Sequence, residues 1–105
     1  DNTVISAAEA VISVGERASI PVFAADTATV ERGAVAALGF DYYDHGRQTG
    51  VMVARVLNGE KPGEMAVETM EKLDLFVNPA AAERMGITLS DDVIADAKKV
   101  IDSAK

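Results

Sequence analysis

Apolar and polar positions along this chain alternate between helical and extended periods. Val4, Ile5, Ala8, Val11, Ile12 and Val14 recur mostly at helical spacing behind Asp1, Asn2 and Thr3, which are suited to cap a helix, and Gly15 is expected near that helix's end. Residues 20–25, IPVFAA, form the short continuous apolar run of a parallel strand covered on both faces, with Pro21 tolerable only near its first position. Asp26, Thr27 and Thr29 offer capping side chains, so residues 30–38 are predicted as a helix weakened at Gly33. Residues 36–40 are ambiguous between helix end and strand, with Gly39 as the break. The clearest helix covers 44–57, with Val51, Val53, Ala54, Val56 and Leu57 as its apolar stripe and Asn58-Gly59 as its stop. A surface turn follows at 60–64. Residues 67–69 and 73–77 approach the alternation of extended chain, interrupted at 70–72. Pro79 takes the first position of a short helix closed by Gly86. Ser90, Asp91 and Asp92 are placed to cap a last helix over 93–104, with lysines toward its end as the helix dipole prefers.

Helices alternating with buried strands define an α/β class with parallel sheet segments flanked by helices. A length of 105 residues bounds this to one small domain's worth of chain. The composition, 49% hydrophobic but 5% aromatic, is that of an Ala/Val-rich packed chain rather than a disordered one. A net charge of −7, from 17 acids against 10 bases, argues against a nucleic-acid partner, whose phosphates require clustered Lys and Arg. The absence of cysteine removes disulfides, thiol nucleophiles and thiolate metal sites. No stretch approaches the roughly 20 apolar residues that span a bilayer. A chain that opens on a helix cap, with no initiating Met, is expected to be a fragment of a longer protein, so the lack of a signal peptide carries no information on location.

Chemistry-bearing candidates are few. His45 is the only histidine, and only Asp41 and Asp44 lie at a ligand spacing from it, so a metal site is not expected; an exposed residue in a helix's first turn is the favoured reading. The glycines form neither phosphate-binding pattern, and no nucleophile motif accompanies the histidine, so no cofactor and no hydrolytic activity are expected. Asp26 differs, because it ends an apolar strand where an open α/β sheet faces a crevice. Locally, a ligand-binding carboxylate and a helix cap are equally compatible with it. Tyr42 and Tyr43 are equally open: core aromatics, or, beside Asp41, a flat face and a hydroxyl for a ligand. A carboxylate for an ammonium and an aromatic for stacking would suit an amino acid.

DNTVISAAEAV, IPVFAADTATVERGAVAALGFDYYDHGRQTGVMVARVLNGEKPGEMAVE and KLDLFVNPAAAERMGITLSDDVI together resemble the C-terminal third of the ABC-transporter substrate-binding proteins of the tryptophan/aromatic-amino-acid type, a class with the ribose-binding-protein, or type I periplasmic, fold. The resemblance covers nearly the whole chain, and VERG, GFDYY, GRQTG and NGEKP within 29–61 carry most of it. It implies two α/β lobes joined by three crossings. Residues 1–40 would belong to the C-terminal lobe, 41–69 to the N-terminal lobe, and 70–105 would return to the first. The joints fall at 39–41 and 70–72, where local preferences are weakest, as a hinge would require.

The resemblance also assigns site residues by position. Asp26 would receive the solute's α-ammonium, Asp1 or Asn2 would add hydrogen bonds, and the neighbourhood of Asp41 and Tyr42 would pack against the solute, with Thr27 adjacent. Groups holding the solute's carboxylate would lie in the missing N-terminal part of the same protein. The implied function is capture of a small solute, an aromatic or branched amino acid, for delivery to an ABC permease in the membrane, without chemistry on the ligand. The implied location is periplasmic, or extracellular and membrane-anchored. Two alternatives stand beside it. One is the effector-binding domain of a transcriptional regulator of the same fold, which would need a DNA-binding segment upstream. The other is a small stand-alone α/β enzyme or signalling domain, which would fold cooperatively alone, whereas a fragment would depend on its missing part.

Overall fold

The computed structural model describes residues 1–102. It divides into two compact units, one formed by Asp1–Gly39 with Asp74 onward, the other by Phe40–Leu73.

The first unit is built on a sheet of order β1(Phe23–Ala24), β2(Ala36–Gly39), β3(Asp74–Val77), β4(Lys99–Val100). β1 and β2 run parallel, as do β3 and β4, and the two pairs are joined by antiparallel pairing of β2 with β3. Successive residues of a strand face opposite sides, and β2 shows the consequence. Ala36 enters a cluster with Ile12, Val35, Val77, Ala82 and Met85, whereas Ala37 packs with Val30 and Ile101 on the other side. The first cluster is covered by α2(Ala8–Ala18) and α5(Pro79–Arg84), the second by α3(Thr27–Glu31).

Small residues bring these layers close. A Cβ at Gly15 of α2 would lie 2.6 Å from Val22 Cγ2 and 2.8 Å from the Ile20 carbonyl oxygen. Gly15 therefore serves close packing inside the helix rather than ending it, and the end is made by Ser19 in the left-handed region at φ 53°. Asn78, 1% exposed, caps α5 by accepting from the Ala81 amide at 2.9 Å, while its Nδ2 donates to the Val30 carbonyl at 3.3 Å. This side chain thereby ties α5 to the end of α3.

Several elements differ from those the pattern predicts. The first helix is two pieces, α1(Asn2–Ser6) and α2, separated at Ala7. The strand expected over 20–25 contracts to Phe23–Ala24; among the described residues it is one of two edge strands, and Phe23 is 62% exposed rather than covered on both faces. The helix expected over 30–38 is replaced by the shorter α3, which gives way at Gly33 (φ 119°), and by β2. A short apolar run satisfies either period, and pairing on both sides made this one a strand. The helix expected over 93–104 stops as α6(Asp91–Asp96), because the amides of Lys98 and Ile101 donate to the carbonyls of Leu75 and Val77 and carry the chain into β4. The last residues of that expected helix, 103 and 104, lie outside the described residues. Residues 67–69 form no strand.

In the second unit, α4(Tyr42–Leu57) begins two residues before the predicted 44, since Asp41 caps it through the Tyr43 amide at 2.7 Å. A 3₁₀ turn, Pro62–Glu64, reverses the chain. Gln48 Nε2 donates to Glu68 Oε2 at 3.0 Å and to the Thr69 carbonyl at 3.2 Å, and Arg55 pairs with Glu60 and Glu68. Met52, Val53, Val56, Leu57, Met65 and Val67 line an open apolar groove of about 530 Å³, and α4 contains no buried residue.

Two outcomes are expected. Asn78→Ala should cost about 1–3 kcal/mol in urea unfolding, since it leaves the buried Ala81 amide without its capping acceptor and cuts the tie from α5 to the Val30 carbonyl. Glu9 accepts from Arg32 Nε at 2.7 Å, and these hydrogen bonds are the main reason its carboxyl falls from 4.5 to about 2. The folded-state value being the lower one, this stabilisation is present above pH 4.5 and lost as pH falls toward about 2. Glu9→Gln should therefore flatten the stability profile in that window, measured by thermal midpoint against pH.

Candidate functional site

In the first unit the carboxyl ends of β1 and β2 and the first residue of β3 lie at one edge of the sheet. β1 runs through Ala25 into Asp26 and Thr27, β2 ends at Gly39, and β3 begins at Asp74, the register partner of Gly39. The chain leaves this unit after Gly39 and re-enters it at Asp74, so both connections depart from adjacent positions. A Cβ at Gly39 would sit 3.1 Å from the Ala25 carbonyl oxygen, 3.4 Å from Thr27 Cγ2 and 3.6 Å from Asp26 Cα. The turn carrying Asp26 thus lies directly against the end of β2, at the carboxyl edge where open α/β sheets hold ligands.

Asp26 is half-buried, with extended backbone at φ −125°, ψ 144°. Its Oδ1 accepts from the Thr29 amide at 2.9 Å and its Oδ2 from Thr29 Oγ1 at 2.7 Å. The capping role is therefore realised. A carboxylate can accept about four hydrogen bonds, so capping leaves it capacity for a ligand. Thr27, also half-buried, is the first residue of α3.

The other residues singled out from the sequence stand elsewhere. Asp1 caps α1 by accepting from the amides of Thr3 at 2.9 Å and Val4 at 3.1 Å, and is exposed. Asn2, also exposed, opens that helix and accepts from Ser6 Oγ through its carbonyl. Asp41 and Tyr42 belong to the second unit. Tyr42 is 67% exposed, and its ring meets Phe40 edge to face at 5.4 Å. His45 packs on the same Phe40 at 5.0 Å. Among the described residues no group of three or more His, Cys, Asp or Glu side chains is placed to hold a metal ion, and no helix is long and apolar enough to cross a membrane.

Sequence reasoning missed one pair at this edge. Asp74 is 6% exposed, and Lys98 Nζ lies 2.5 Å from its Oδ2. The signal available was an acid set inside the apolar run Leu73 to Val77, where burial of a charge demands a partner. Lys98 had a sufficient local explanation as a cation near a helix end, and nothing local joins the two residues.

A mixed α/β sheet that the chain leaves and re-enters at one edge is part of a periplasmic-binding-type fold, and the comparisons agree. Residues 1–101 match the family described as ABC transporter substrate binding protein, and the chain belongs to that family. It is 31% identical over 78 residues to the tyrosine-binding protein of Clostridioides difficile, covering 74% of this chain and 23% of that protein. A conserved domain protein from Vibrio cholerae superposes with a TM-score of 0.86 at 48% identity, over 95% of this chain and 34% of that one. An ABC domain from Streptococcus pneumoniae in complex with L-tryptophan gives 0.81 at 34% identity, over 96% and 35%. The chain thus spans about a quarter of the curated relative and about a third of each solved structure.

Two glycines distinguish the site edge from ordinary helix surface. Gly39→Ala should cost about 1–3 kcal/mol by crowding the Asp26 turn. Gly46→Ala meets nothing within 4 Å inside α4 and should stabilise by about 0.5–1 kcal/mol. Paired denaturant titrations check both signs.

Proposed function

We propose that this chain forms one wall of the solute pocket in the binding component of an ABC importer, and that the solute is an amino acid with an aromatic or branched side chain. Asp26 receives the α-ammonium and Thr27 borders it. Asp1 or Asn2 adds hydrogen bonds, and Asp41 with Tyr42 contributes the packing surface near the crossing. The observation that carries this reading is Asp26 itself, which closes β1 at the sheet's carboxyl edge with acceptor capacity beyond its cap. The tyrosine-binding relative and the tryptophan-bound neighbour support the solute class.

In this reading residues 1–40 and 70–105 belong to the C-terminal lobe and 41–69 to the N-terminal lobe. The division of the structure after Gly39 and before Asp74 supports it. The rest of the pocket, including the groups for the solute's carboxylate, comes from a preceding part of the same protein. Exposed Val51, Leu57 and Val67, at 63%, 81% and 96%, supply apolar surface for that part to cover. The protein performs no chemistry on its solute. It works outside the cytoplasm, periplasmic or anchored to the membrane's outer face. Closure of the lobes on the solute sets the affinity and presents the closed form to a permease.

The test uses the longer protein containing this chain. An amino acid present at about 100 times its dissociation constant should stabilise it by about 2.7 kcal/mol in a thermal-shift screen. A screen in which no amino acid raises the midpoint would overturn the solute class. Asp26→Asn keeps a capping side chain but removes the charge, and should weaken binding by about 10- to 100-fold in calorimetry. Unchanged affinity in that variant would overturn the site assignment.

A further inference from the structure

We infer that the Asp74–Lys98 ion pair is a positioning element of the solute site, acting through Gly39 on the turn that carries Asp26; this rests on the reading of Asp26 given above. The pair is set at the sheet edge where the chain re-enters the first unit. Asp74 is the first residue of β3 and lies opposite Gly39, the last of β2. Directly opposed residues of an antiparallel pair share one face, so the Asp74 carboxylate stands on the face where Gly39 abuts Thr27 and the Asp26 backbone.

Lys98 is joined to β3 twice, through its amide to the Leu75 carbonyl at 2.9 Å and through Nζ to Asp74. It therefore holds the first two residues of β3, Leu75 through its backbone and Asp74 through its side chain. The Asp74 side chain is buried and that of Lys98 is 44% exposed, so the pair adds little net stability. What the pair supplies is a fixed geometry at a strand end that would otherwise fray. If the start of β3 shifts, Gly39 shifts with it. The Asp26 turn, in contact with Gly39, then loses the placement that a charge-assisted hydrogen bond to a solute ammonium requires.

The experiment compares Lys98→Met, Lys98→Arg and Asp26→Asn, singly and as Lys98→Met with Asp26→Asn, in the longer protein, with tyrosine and tryptophan as calorimetric probes. Thermal midpoints are recorded separately. Lys98→Met should weaken binding about five- to tenfold, and should add little in the Asp26→Asn background, because both act through one contact. Lys98→Arg, which retains the charge, should bind within about twofold of the parent. A Lys98→Met protein with a lowered midpoint but parental affinity overturns the inference, as do effects that simply multiply in the double variant. Should Lys98→Met not fold, Lys98→Gln serves the same comparison. Loss of affinity in Asp26→Asn but not at Lys98 leaves the proposed site standing and removes only this inference. Parental affinity in Asp26→Asn removes the site reading itself.

Discussion

The antiparallel pairing of β2 with β3 is the constraint on which the rest of the first unit depends. It joins two short parallel pairs that come from opposite ends of the chain, across everything between Phe40 and Leu73. β1 and β4 have two residues each, too few to hold a sheet alone. The four-residue partners at the centre provide the continuous ladder, and the two buried clusters form on its two faces. The same pairing sets Gly39 opposite Asp74, which puts both chain connections and the Asp26 turn at a single edge.

Three aspartates show how one residue type starts helices in both units. Asp1, Asp26 and Asp41 each precede a helix and accept from its first free amides. A cap and a ligand-binding carboxylate have the same local requirement, an acid at the boundary between extended and helical backbone. That is why the two readings of Asp26 were inseparable in the sequence. Capping also holds the Asp26 side chain in one orientation.

Elements governed by nearby residues were legible. α4 and α5 appear because each is specified within one or two turns, by the apolar stripe and Asn58-Gly59 stop of the one and by Asn78-Pro79 and Gly86 in the other, although the Asp41 cap starts α4 two residues before the expected 44. The family was legible too, since its motifs are contiguous in 29–61 and the match extends over residues 1–101. β2 and β4 were not, because AVAALG and KKVI fit a helix as well as a strand until a partner strand is present. At the site edge, Asp26 and Thr27 could be singled out by a switch from apolar to polar residues, whereas Asp74 and Lys98 could not be paired across more than twenty intervening residues.

The sequence by itself therefore determined the α/β class, the existence of α4 and α5, the family and the switch from apolar to polar residues at Asp26, all properties carried by residues close together in the chain. Tertiary structure alone decided which short apolar runs became strands, that a side chain at Gly15 would clash with Val22 while one at Gly39 would crowd the Ala25 carbonyl, and that Asp74 is buried beside Lys98. Each of those depends on contact between distant segments. Local preferences there differ by less than the free energy of one strand pairing or one buried charge, so packing settles the outcome.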